Sequence, residues 1–188
     1  MGGRARTQVS TPAGTGRSAD AGDGRARDER ERLQLQRMER SLVRAWLAAP
    51  SVLAPADYEC LRYAFGLARL HVFRPAGQPR DVRVNPEAVA PLRGWLLGHL
   101  HDSLRGGEAA EAKLAVCREA AAQVRARAIE LRRRLLADHR DDFDAAALDR
   151  EAGRRALVVV AGGGGGAGYV YAGAYARLME AGLIPDYI

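Results

Sequence analysis

Five consecutive glycines, Gly162 to Gly166, with Gly168 two positions on, are the residues of this 188-residue chain best suited to chemistry. Without Cβ atoms, several backbone N–H groups can be brought close to one ligand atom and aimed at it. A helix start just behind them adds its positive dipole end. The product is a trap for negative charge, either permanent, as in a phosphate, or developing in a transition state, as in an oxyanion. A tight turn with close helix–strand packing explains one or two glycines, but not five in a row.

Other chemical groupings are weaker. A P-loop needs Lys-Ser or Lys-Thr after the glycines, and none follows. Gly163, Gly165 and Gly168 satisfy the spacing of a dinucleotide fingerprint, with Asp186 near the distance of a ribose-binding acid. That acid should end a second strand, whereas Asp186 follows Pro185 and precedes the apparent strand. His99 and His101 point apart on a helix, so they cannot share a metal there. His101, Asp102 and Ser103 are neighbours in sequence, whereas a triad needs side chains converging from different segments. Cys60 and Cys117 lie far apart without ligand spacing, and read as buried reduced thiols. No metal and no cofactor is expected.

The elements that must position the glycines are legible on both sides. Ala156 to Val160 is a β-branched run, the pattern of a strand buried on both faces. From Val170 onward, Tyr171, Ala174, Tyr175 and Leu178 make a helical stripe, with Gly182 at the expected cap and Pro185 beyond. The unit is strand, glycine turn, helix.

In this order the segment resembles the N-terminal signature of the patatin-like phospholipase family, roughly GGGxRGxYxxGxLxxLxExGIxPDxIxGTSxG. Gly163, Gly164 and Gly165 fall on the triple glycine, Gly168 on the next glycine and Gly173 on the helix glycine. Leu178, Glu180 and Gly182 follow in register, and Pro185, Asp186 and Ile188 fall on the "PDxI" element. The likeness is gapless but covers only Ala156 to Ile188. Ala167 stands where the family has Arg or Lys, which leaves the loop less electropositive. The aromatic expected at Val170 is displaced to Tyr169 or Tyr171.

The resemblance implies a serine lipid acyl hydrolase with a Ser/Asp dyad. Its oxyanion hole would be built on Gly163, Gly164, Gly165, Gly166 and Gly168, acting on a lipid or other ester in transient contact with a membrane surface. The chain contains no Gly-x-Ser-x-Gly, so nucleophile and Asp are expected beyond Ile188. A single apolar strand also cannot make a parallel sheet without neighbours. The sequence is therefore expected to be a fragment, inert by itself: a helical region followed by the first βα unit of an α/β hydrolase domain. Two other classes stay open, a nucleotide-binding module using the glycine turn and a helical adaptor.

The rest of the chain reads as helical. Residues 1–25 are poor in large apolar side chains and are expected to form a disordered tail. Residues 26–152 form the helical region and 153–188 the start of the hydrolase domain. Helices are predicted from about Arg27 to Pro50, over Ala56–Leu70 and Pro86–Leu104, and from Glu108 to about His139, with a short one in "DFDAAALDREAG". A short hairpin or loop spans residues 70–84. Leu114, Cys117, Ala121, Val124, Ala128, Leu131 and Leu135 keep heptad spacing. That seam predicts a helix packed in an antiparallel layer, with a homo-oligomer through it as the alternative. Arg132, Arg133 and Arg134 are expected to form a solvated face.

The net charge is +6, and Lys113 is the only lysine among 29 basic residues. The acids are interspersed with the arginines, so no nucleic-acid partner is expected, only a weak pull toward anionic surfaces. No signal peptide or membrane-spanning run is visible, and a cytoplasmic location, peripheral at membranes, is the expectation.

Overall fold

The computed structural model describes residues 17–73, 75, 79–153 and 168–180, with the side chains of 17–23 and 168–170 left out. Six helices and one two-stranded ribbon lie among them: α1 (Arg17–Ala48), α2 (Pro55–Arg69), β1 (Val72–Phe73), β2 (Val82–Arg83), α3 (Pro86–Arg105), α4 (Ala110–Asp138), α5 (Ala145–Ala152) and α6 (Gly168–Glu180). Each of α1 to α4 packs on the other three, and α5 leans on α2.

The boundaries have local causes. Pro55 and Pro86 open α2 and α3, where a missing N–H costs nothing. The Asn85 side chain accepts from the Glu87 N–H at 3.0 Å, and the Asp144 side chain accepts from the Ala147 N–H at 2.7 Å. Each satisfies a donor that has no intrahelical partner. Gly106 ends α3 with extended backbone (φ −62°, ψ 166°). It acts by stopping the helix, without the left-handed cap that glycine often supplies.

Helix α1 starts at Arg17, so the disordered tail expected through residue 25 ends too late by nine residues. Ion pairs support the turns from Arg27 onward: Arg27 with Glu31 and Arg32 with Asp28, both at 3.0 Å. Asp28 is also held by Arg93 of α3, a tertiary contact invisible to a local pattern.

The heptad stripe of α4 is spent inside the chain. Leu114, Cys117, Ala121, Val124, Ala128, Leu131 and Leu135 are all buried against the shared core of Leu35, Met38, Leu42, Leu61, Phe65, Leu96 and Leu100. The seam is thus spent on packing against the other helices of the chain. That leaves a homo-oligomer no apolar a/d face on α4. Trp46 stacks on Tyr58 at 4.3 Å and donates to the Leu53 carbonyl, which closes the turn between α1 and α2.

The ribbon pairs Val72 with Arg83 and Phe73 with Val82 in antiparallel register. Phe73 meets Phe143 at 5.0 Å, fastening the ribbon to the turn before α5. No described helix is long and apolar enough to cross a membrane. The described architecture is thus mainly helical, with one small antiparallel ribbon.

Candidate functional site

Of the glycines expected to form the oxyanion hole, Gly163, Gly164, Gly165 and Gly166 lie outside the described residues, as do the predicted strand Ala156–Val160 and the "PDxI" element. Gly168 is the first residue of α6. The helix therefore begins two residues earlier than the stripe from Val170 suggests, directly behind the glycine run. The first N–H groups of a 13-residue helix starting there have no intrahelical partner, and its N-terminus carries the positive dipole end. Gly173 meets nothing within 4 Å of a built Cβ. Tyr171, Tyr175 and Met179 remain exposed.

The approach to this segment is held firmly. Helix α5 ends at Ala152, and the Gly153 N–H returns to the Asp149 carbonyl at 2.9 Å. Asp149 is the hub. Arg132 of α4 reaches it with Nε to Oδ1 at 2.8 Å and a terminal nitrogen to Oδ2 at 2.7 Å, a fork-on-carboxylate geometry. Tyr63 of α2 donates its hydroxyl to Oδ1 at 2.6 Å. Three elements thus meet at one carboxylate. The Arg132 hydrogen bonds hold the Asp149 carboxyl below its ordinary range, with Tyr63 adding to the effect against partial burial. Burial, followed by the bond to Asp149 and its charge, pushes the Tyr63 phenol well above its ordinary value. Arg132 is accordingly a structural tie, which corrects the expectation of a solvated face for it. Arg133 and Arg134 remain exposed beside Glu130.

Backbone contact reinforces the tie. A Cβ on Gly66 would lie 1.8 Å from the Ala152 carbonyl oxygen. Glycine here lets α2 touch α5 backbone to backbone.

A second cluster centres on Arg93, 2% exposed. Its Nε donates to the Ala68 carbonyl at 3.0 Å, one of the orphan acceptors at the end of α2. Its terminal nitrogen bonds Asp28 and lies 3.6 Å from Glu31. Burial pushes the Asp28 carboxyl up, but the hydrogen bond and charge of Arg93, with Arg32 and His71, outweigh it and leave the group below its ordinary value. Neither cluster was named from the sequence. Two signals were available: a charge inside the apolar stripe Val89, Leu92, Leu96, Leu100, and a glycine in the middle of α2 between Phe65 and Leu67.

Beside the Arg93 cluster lies a recess of about 740 Å³. Arg25, Arg32 and Arg83 line it against Asp28, Glu29 and Glu87. Opposite charges in equal number give it no preference for an anion or a cation.

The remaining candidates resolve into local contacts. His99 Nδ1 lies 2.9 Å from the Trp95 carbonyl and its ring stacks on Trp95. His101 Nδ1 lies 2.9 Å from its neighbour Asp102, an exposed pair on one turn. Cys117 is fully buried, and burial pushes its thiol up to about 12, so it is protonated and inert at neutral pH. Cys60 is half-buried. Among the described residues, no group of three His, Cys, Asp or Glu side chains is placed to hold a metal ion.

No family model, curated protein or solved structure matches the chain.

Proposed function

We propose that this chain carries the oxyanion loop of a patatin-like serine acyl hydrolase that cleaves an ester of a phospholipid or similar lipid. It would work in the cytoplasm, at a membrane surface. The observation that supports the reading most is the helix beginning at Gly168, directly behind the glycine run, in the order the family signature requires. In the reaction, a serine hydroxyl attacks the ester carbonyl and an aspartate accepts its proton. The N–H groups around Gly164, Gly165 and Gly166 hold the oxyanion, each donor being worth about 3 kcal/mol of barrier. Residues 1–188 hold no Gly-x-Ser-x-Gly, so on this reading the serine would have to be supplied outside them.

The reading frame past the Ile188 codon tests this first. A Gly-x-Ser-x-Gly is expected within about five residues, at the end of the strand begun by "PDxI". A frame without that serine removes the hydrolase reading. In the protein that carries the serine, Gly164→Val should lower kcat roughly a hundredfold or more while a fluorophosphonate probe still labels the nucleophile. Thermal stabilisation by NAD or ATP, with none by acyl-chain analogues, would move the assignment to a nucleotide-binding turn.

A further inference from the structure

The outward face of α1 is set apart from the other charged surfaces by its missing acids. Arg30, Leu33, Arg37, Arg40, Arg44 and Leu47 follow one another at alternating steps of three and four residues. At 3.6 residues per turn they fall within an arc of about 100° and span about 26 Å along the helix. All six are exposed.

Three acids of α1 with described side chains are engaged away from this stripe. Glu39 is engaged by Arg62 and Arg69 of α2, at 3.2 and 2.6 Å. Glu31 faces Arg27 and Arg93, and Asp28 is held by Arg32 and Arg93. Glu29, one residue before the stripe, is the nearest acid on that side. Arg37, Arg40 and Arg44 make no ion pair with any described residue, whereas Arg62, Arg69, Arg93, Arg125 and Arg132 all do. The pairing that holds the bundle together consumes the negative charge of α1 on its inner side and leaves a cationic outer side.

Two leucines flank the arginines. Leu47 is 70% exposed and Leu33 47%. Exposed leucines cost free energy in water, and they add nothing to phosphate contacts on a duplex. At a lipid interface they insert at the headgroup boundary, while the long arginine side chains keep their charges among the phosphates.

We propose that the Arg30–Leu47 face of α1 docks on an anionic phospholipid bilayer surface. The assignment rests on charge complementarity and on the flanking leucines, not on the acyl-hydrolase reading. It stands or falls separately.

The test is cosedimentation of the full chain with vesicles of phosphatidylcholine alone or of phosphatidylcholine mixed with phosphatidylserine. Binding is expected only to the mixed vesicles and should weaken with salt. A basic side chain at such a surface contributes roughly fivefold in partitioning, so Arg37→Gln, Arg40→Gln and Arg44→Gln together should cost roughly a hundredfold. The same positions changed to Lys should retain binding, provided circular dichroism shows both variants equally helical. Leu33→Ser with Leu47→Ser should cost roughly tenfold at unchanged charge. Removing three exposed arginines elsewhere, Arg105, Arg118 and Arg150, should change binding by less than about threefold. Equal losses from the two arginine sets would overturn the proposal. So would binding indifferent to phosphatidylserine or to the leucines, or duplex DNA competing through the same arginines.

Discussion

The helical unit up to Gly153 and helix α6 are built from similar amphipathic patterns, yet only the first buries them. In α4 every residue of the heptad stripe is covered, from Leu114 to Leu135. In α6 Tyr171, Ala174 and Tyr175 of the stripe are exposed and Leu178 is half-buried. The difference lies in what surrounds each helix. Helices α1 to α4 supply each other with apolar faces, whereas α6 has no extensive packing partner among the described elements. An amphipathic period states that a helix needs a covering surface. It does not provide one.

Breaking the helical unit from inside should have the largest effect. Arg93→Leu removes the donor to Ala68 and leaves Asp28 with Arg32 and the nearby His71. Removing the main partner of a mostly buried carboxylate costs about 3 kcal/mol or more. Urea denaturation should show that loss, while the exposure of α6 to proteases stays unchanged. A loss under about 1 kcal/mol would mean that Asp28 finds water or another cation easily.

Gly66→Ala comes next. Alanine favours the helix by about 1 kcal/mol, but its Cβ would lie 1.8 Å from the Ala152 carbonyl oxygen. Backbone cannot move aside as a flexible side chain would, so α5 must shift. A net loss of about 2 kcal/mol is expected, with faster amide exchange confined to α5 and its neighbours. If the variant is more stable than the parent, α5 is not seated on α2 as described.

These two positions show where the sequence was readable. The helices announced themselves by period, cap and breaker: Pro55, Asn85 with Pro86 and the α4 heptad act locally, within a turn or two of their effect. The ties among helices did not, because Arg93 to Asp28 spans 65 positions and Tyr63 to Asp149 spans 86. The glycines of the candidate site were legible by composition and order alone, since their chemistry is carried by backbone N–H groups rather than by a distinctive side chain. Their geometry was not legible, because it depends on which elements the strand and α6 pack against.

The Asp149 tie should give a smaller and pH-dependent effect. Tyr63→Phe removes one hydrogen bond to a half-exposed carboxylate, a loss of about 1 kcal/mol. Asp149 has a folded-state pKa below its ordinary 3.8. Its contribution is complete above that value and fades as the pH falls through it toward the folded-state pKa. Tyr63 has a folded-state pKa above its ordinary 10.0, so its contribution is complete below pH 10 and fades at higher pH. The parent should therefore lose stability beyond each end of that range. Tyr63→Phe should abolish the alkaline loss attributable to this phenol and soften the acidic one. Asp149→Asn should reduce both. Parallel melting curves at acid, neutral and alkaline pH provide the check.

The smallest effect is expected from the largest deletion. Ending the chain at Gly153 removes α6 and every candidate glycine, yet it removes no described contact that holds α1 to α5 together. Among the described residues, the core of the helical unit runs from Leu35 to Ala152. The last cap is also complete within it, since Gly153 donates to the Asp149 carbonyl at 2.9 Å. The shortened chain should keep its unfolding free energy within about 0.5 kcal/mol of the parent, and lose helical signal only in proportion to the missing α6. A cooperative unit of this kind should also give the same denaturant slope, because the slope follows the surface exposed on unfolding and α6 contributes little to it. A drop well beyond that would show that the segment after Gly153 covers part of the bundle. The contrast between a self-sufficient helical unit and a helix little packed on the described elements would then fail.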